Sequence, residues 1–185
     1  MIEKRKLALL ILCLLLLACQ KDQDIELARQ AISLNPNNSE AHYKLGLAYR
    51  KSNRLKEAIE AHKWAVRLNP NYAEAYQELG EIYDIQKQTQ EKVNAFKQVV
   101  RLIPDSADAY RNLGWGYFGL GQRNETIEAF KQVVRLKPDD AFSHYELGVI
   151  YCMYDNKGAA LDEYKILKKI DPNYAEGLLI VIYRK

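Results

Sequence analysis

ADAYRNLGWGYFGLGQRNETIEAFKQVVRLKPDD, residues 107–140, is the stretch that decides the fold. Tyr110, Leu113, Gly114 and Tyr117 fall on one face at helical spacing, and Gly121 interrupts the pattern. Thr126, Phe130 and Val133 form a second apolar stripe, which Pro138 ends. Two such stripes joined by a tight turn make a helical hairpin that cannot bury its apolar sides alone. Copies of the same hairpin can bury them.

The copies lie on both sides. The five prolines, Pro36, Pro70, Pro104, Pro138 and Pro172, are each 34 residues apart. Leu45-Gly46, Leu79-Gly80, Leu113-Gly114 and Leu147-Gly148 keep the same step, as do Tyr49, Tyr83, Tyr117 and Tyr151. The octapeptide AFKQVVRL occurs at 95–102 and again at 129–136. This register resembles that of tetratricopeptide-repeat proteins. Full units fall at 39–72, 73–106, 107–140 and 141–174. A half unit at 25–38 reads as an N-terminal capping helix, and 175–185 as a C-terminal one in which Ile182 replaces the expected glycine. The resemblance implies an all-α fold, an α-solenoid of stacked hairpins wound as a right-handed superhelix.

Within each unit the eighth place is glycine, where a missing side chain lets the second helix approach, outweighing glycine's cost of about 1 kcal/mol in a helix. The turn inside each hairpin carries Asn53, Lys87, Gly121 or Asp155; Lys87 is the one least suited to a left-handed backbone. Lys92 stands where the family usually has alanine, and the turn after Ile85 is wholly polar, so the second hairpin is expected to be the loosest joint.

Residues 1–18 read as a lipoprotein signal peptide. Lys4-Arg5-Lys6 is a basic start, and Leu7–Leu17 is an apolar run too short to span a bilayer. Ala18-Cys19 resembles a bacterial lipobox, which implies lipidation of Cys19 and a lipidated tether over 19–24. Gln20 after the cysteine resembles the pattern of outer-membrane delivery, facing the periplasm, if the organism has two membranes. The expected location is lipid-anchored at the cell envelope. Of the three cysteines, Cys152 alone remains in the processed array, which excludes an internal disulfide framework.

The formal charge of +3 includes three basic residues and one acidic in the signal; removing them leaves 24 against 23, or +1. Such a balance gives no electrostatic case for nucleic acid. The string Gly114-Trp115-Gly116-Tyr117-Phe118-Gly119 has the GxGxxG spacing of a dinucleotide loop, but it lies inside a helix rather than after a strand. It is read as a place of close helix approach. His42 and His62 are expected to meet as a satisfied buried pair inside the first unit. No Ser/His/Asp, Cys/His or metal-ligand grouping stands out, so no cofactor, metal or catalytic residue is assigned, and the chain reads as a non-enzyme.

In the family the first helices line a concave groove. The corresponding residues form the candidate site: Tyr43, Leu47, Arg50 and Lys51; Gln77 and Glu81; Arg111, Trp115 and Phe118; and Phe142, Tyr145, Val149 and Met153. Their character shifts from charged to aromatic along the chain. The tail helix either folds over Trp115 and Phe118 or packs beside Phe142 and Met153. Chaperone-binding members use a clamp of Lys, Arg and Asn, whereas the matching places here hold Tyr43, Leu47, Glu78, Asp108 and Asn112, so binding of a chaperone's C-terminal tail is not expected. The expected partner is a protein or peptide segment of the envelope. The resemblance extends to small lipoproteins that assist pilus or secretin assembly and to others that scaffold cell-wall enzymes. A small or lipidic ligand, or self-association, are the alternatives.

Overall fold

The computed structural model describes residues 23–184, and all regular structure among them is helical. The first helix, α1, is seen from 23 to 34. It is followed by α2 (Ser39–Lys51), α3 (Leu55–Leu68), α4 (Ala73–Ile85), α5 (Thr89–Leu102), α6 (Ala107–Gly119), α7 (Arg123–Leu136), α8 (Ala141–Met153), α9 (Lys157–Ile170) and α10 (Pro172–Tyr183). The fold is an α-solenoid of helical hairpins. It divides into two compact units, the first ending at Ile82 and the second beginning at Tyr83.

Local chemistry sets the helix boundaries. Side chains of Asn38, Ser106 and Asp140 accept from the amides of Ala41, Ala109 and Ser143 at 3.1, 3.2 and 3.0 Å, capping α2, α6 and α8. Each hairpin turn contains one residue with positive φ: Asn53 at 57°, Lys87 at 58°, Gly121 at 71° and Asp155 at 58°. Lys87 therefore bears a conformation that favours glycine.

In unit 1, α2 and α3 pack across Gly46, where an added Cβ would meet the His62 ring at 2.5 Å. In unit 2 the same relation holds between Gly114 and Phe130, at 2.9 Å. The fourth glycine differs. Leu178 of α10, not a residue of α9, fills the space over Gly148. Leu178 joins Phe130, Leu147, Ile150 and Leu167 in the unit 2 core, each such side chain contributing about 1.5–3 kcal/mol on burial.

Gly116 and Gly119 serve packing as well: an added Cβ would meet Val93 of α5 at 2.7 Å and Thr89 at 3.0 Å. Lys92 lies against the same helix pair, with its stem buried and its ammonium donating to Asp84 at 2.8 Å.

The ends depart from the repeat boundaries. Residues 23 and 24, expected in the tether, are helical. Residues 1–22, which hold the expected signal peptide, Cys19 and the rest of the expected tether, lie outside the described residues. The C-terminal helix begins before residue 175, because Pro172 suits a first helical position and the Asp171 carboxylate accepts from the Asn173 amide at 2.9 Å.

Candidate interaction site

In unit 1 the candidate residues separate into two surfaces. Arg50 of α2 donates to Glu78 and, at 2.7 Å, to Glu81 of α4, and Gln77 donates to Glu81 at 3.0 Å. These four residues form an internal network, so Arg50 is already neutralised by two carboxylates. Tyr43 meets Tyr72 as a tilted ring pair with centroids 4.9 Å apart. Leu47 and Lys51 instead line a groove between α1 and α2, where Lys51 faces Asp24 at 3.6 Å.

The histidines do not form the expected pair. His42 faces the Pro36 carbonyl at 3.0 Å and stacks on Trp64. His62 is fully buried, and neither ring nitrogen has a hydrogen-bond partner. Burial, reinforced by the nearby Arg50 charge, holds its pKa down to about 4. The reason is positional: His62 occupies the place that holds Phe96 and Phe130 in later units, an apolar pocket with nothing to accept its proton. His144, by contrast, is satisfied by Glu163 at 2.7 Å and the Pro138 carbonyl at 2.9 Å.

In unit 2 the aromatic residues do come together. Trp115 meets Phe118 edge-on at 5.7 Å and rests on Phe130 at 5.2 Å. One turn earlier on α6, Arg111 reaches over the Phe142 ring at 5.7 Å. Phe142 then meets Tyr174 at 6.3 Å, and Tyr174 meets Tyr145 at 5.6 Å. Trp115 and Phe118 each remain 36% exposed, Phe142 45% and Met153 53%. Val149 is half-buried on the same helix as Tyr145. The tail helix packs on α8 and α9 and leaves Trp115 and Phe118 open to solvent. Beside Tyr145 a pocket of about 320 Å³ is bounded by Asn173, Tyr174 and Gly177.

Arg111 is a strut within this surface. It donates to Glu146 at 2.7 Å, to Asp108 at 2.7 Å and to Ser143 at 3.1 Å. Ser143 in turn donates to Asp140, and that hydrogen bond lowers the Asp140 pKa. The guanidinium is thus engaged by Glu146, Asp108 and Ser143 as it lies over Phe142. Cys152 is half-buried, and burial pushes its thiol pKa up, which makes it a poor nucleophile at neutral pH.

Tyr174 and Tyr154 were not among the residues singled out from the sequence. Tyr154 meets Phe118 as a tilted ring pair at 6.1 Å, with Arg123 over its ring at 5.0 Å. Both lie just outside a first helix as the repeat is counted, in a turn and at the unit boundary.

Sequence models of this repeat class match the chain in a continuous series. One described as TPR repeat matches residues 46–84, and one described as tetratricopeptide repeat matches 27–60. Another tetratricopeptide model matches 73–106 and 107–140. Comparison with curated protein sequences gave no match. Among solved structures, a crystal structure of MamA is 28% identical, with a TM-score of 0.72 over 84% of this chain and 91% of that one. MamA from Desulfovibrio magneticus RS-1 is 23% identical, with a TM-score of 0.69 over 83% and 86%. YrrB, described as a TPR protein with an unusual peptide-binding site, is 22% identical, with a TM-score of 0.71 over 89% and 86%. The last two show a shared fold alone. The matched stretches run without a gap from 27 to 140 and coincide with the hairpins, so the chain belongs to the tetratricopeptide-repeat family.

Proposed function

We propose that the protein is a lipid-anchored scaffold of the bacterial envelope, which holds a protein partner against the aromatic face of unit 2. The observation that carries this reading is two groups of partly exposed rings in unit 2, Trp115 with Phe118 and Phe142 with Tyr174 and Tyr145, with Arg111 of α6 lying over Phe142. Exposed apolar clusters mark contact sites, and rigid aromatics contribute large contact area at little conformational cost. The cations near them, Arg111 and Arg123, are already engaged, which favours an apolar segment over an acidic one. An extended or helical peptide would lay one anchor in the pocket beside Tyr145 and another against Trp115. That YrrB carries a peptide-binding site on the same fold supports the class of ligand.

Lipidation of Cys19 would confine the scaffold to a membrane surface and raise the partner's effective concentration there. The Cys19→Ala variant should lose metabolic labelling by palmitate and leave the membrane fraction. In-cell crosslinking then tests the face: a partner captured by the wild type should vanish from a Trp115→Ala/Tyr145→Ala variant that remains helical. Capture of the same partners by both proteins would refute the aromatic face as the binding site.

A further inference from the structure

A groove of about 470 Å³ lies among α1, α2 and α3 of unit 1 and has no part in the site above. Ile32 of α1, Leu45 of α2, and Ala61 and Trp64 of α3 give it an apolar lining, and His42 of α2 lines it as well. Trp64 is fixed from two sides while remaining exposed. The His42 ring stacks on it with centroids 5.8 Å apart, and the Arg67 guanidinium lies over it at 4.3 Å.

The fourth repeat supplies a template for what belongs there. His42 and His144 both take the fourth place of their repeats. In each, Nε2 meets the carbonyl of the proline six residues earlier, Pro36 at 3.0 Å and Pro138 at 2.9 Å. The other nitrogen of His144, Nδ1, meets the Glu163 carboxylate at 2.7 Å. Glu163 stands at place twenty-three, where the first repeat has Ala61, and Nδ1 of His42 has no hydrogen-bond partner among the described residues. The second and third repeats also carry alanine at that place, Ala95 and Ala129, but combine it with the larger Tyr76 and Tyr110 at the fourth. Only the first repeat joins the shorter ring to the shorter partner, and the groove lies at that combination.

The charges lining the groove favour an anion. Its two acids are already engaged, Glu57 by Arg54 and Glu60 by Lys63, each at 2.9 Å. Of its cations, Arg29 donates to the Tyr49 hydroxyl at 2.9 Å, and Lys56 forms no ion pair among the described residues, although its charge acts on Glu57. Two cations and one ring nitrogen are thus left to meet a carboxylate, beside an apolar wall for whatever it is attached to. A carbonyl on Nε2 and a carboxylate on Nδ1 together need a proton at each nitrogen. A carboxylate that joins the neutral ring therefore brings a proton with it, into the arrangement that His144 and Glu163 already hold.

We propose that this groove binds a small amphipathic carboxylate. The carboxylate sits on Nδ1 of His42, in the place that Glu163 takes beside His144, and the hydrocarbon body lies along Trp64, Leu45 and Ile32. An apolar pocket of this size with a few polar groups suits a small molecule. The site is separate from the aromatic face of unit 2 and does not rest on the reading of that face.

Octanoate is the probe, with octanol and acetate as controls, followed by NMR of the Trp64 indole and the His42 ring in the full chain. Octanoate should give saturable shifts at both rings. Octanol lacks the charge and acetate lacks the chain, so each should bind about tenfold more weakly or worse. Calorimetry above neutral pH, in buffers of different ionisation enthalpy, should show proton uptake with octanoate and none with octanol. Two variants, checked for helicity by circular dichroism, locate the contact. His42→Phe removes the ring nitrogens and should abolish the advantage of octanoate over octanol. Ala61→Glu supplies the chain's own carboxylate at place twenty-three and should weaken octanoate about tenfold. Equal affinity for octanol and octanoate, binding without proton uptake, or unchanged octanoate affinity in either folded variant would each overturn the proposal. Shifts confined to Trp115 and its neighbours would place the ligand on unit 2 and overturn it as well.

Discussion

Tyr145 and Tyr174 meet as tilted rings with centroids 5.6 Å apart, and Tyr43 and Tyr72 repeat the tilted contact at 4.9 Å three periods earlier. Both pairs join the fifth and last places of a 34-residue unit. In the second and third units, the last place holds Ser106 or Asp140, each of which caps the next helix. A tyrosine cannot cap in this way. At Tyr174 the following helix instead starts earlier, from Asp171, and the ring is free to lie on Tyr145. The unit thus gives up a side-chain cap at its boundary and gains an aromatic contact at its surface.

Tyr174→Ala should therefore weaken partner capture by unit 2 as much as Tyr145→Ala does, about tenfold if the ring is an interface anchor worth 1–2 kcal/mol. Tyr72→Ala removes the equivalent ring from unit 1 and should leave that capture unchanged. Quantitative crosslinking of the three variants, with helicity checked by circular dichroism, compares them directly. Equal losses for Tyr72→Ala and Tyr174→Ala would show that ring loss acts through the fold rather than the contact.

The helices, their hairpin pairing and the glycine seats were legible because a regular period forces each local choice to agree with its neighbours. The site was legible only in part. Place-counting found Trp115, Phe118, Phe142 and Tyr145, whose rings lie on or beside first helices. It passed over Tyr174, which lies at a boundary, although its recurrence with Tyr72 was visible in the sequence. It also assigned Arg50 and Arg111 to ligand contact when both are bound to carboxylates on the next first helix. A one-dimensional register names the face a residue occupies, but not whether a residue from the following repeat already neutralises it.

Arg111 and Glu146 form a largely buried pair at 2.7 Å, with side-chain exposures of 19% and 9%. Breaking such a pair strands the surviving charge. Arg111→Ala and Glu146→Ala should each destabilise unit 2 by about 2–4 kcal/mol, and the double variant should cost clearly less than their sum. Denaturant unfolding of the four chains gives the coupling. Additive losses would mean that the two side chains act separately.

Lys87 is exposed and holds φ at 58° in the turn before α5. A left-handed conformation costs an L-residue about 1–2 kcal/mol, partly offset on replacement by glycine's greater loss of freedom. Lys87→Gly should stabilise the protein by about 0.5–1 kcal/mol, read as a rise in the denaturant midpoint. Gly121→Ala, in the third hairpin at φ 71°, should shift the midpoint the other way.

His62 supplies an acid-sensitive point in an otherwise apolar contact with Gly46. Its pKa in the fold is about 4, below the ordinary 6.5, because burial disfavours the charged ring. The unfolded chain therefore binds the proton more readily between these values. The neutral ring's contribution is complete above about pH 6.5 and is lost as the pH falls towards 4, an acid penalty on the order of 3 kcal/mol. His62→Phe puts into the first unit the side chain that Phe130 presents to Gly114. It should remove most of this slope between pH 7 and 4, and by eliminating two unpartnered nitrogens raise stability at pH 7 by about 1–2 kcal/mol. Thermal melts of both chains across that range decide the matter: parallel acid losses would place the titrating group elsewhere, and a less stable variant at pH 7 would mean the pocket over Gly46 is shaped for imidazole.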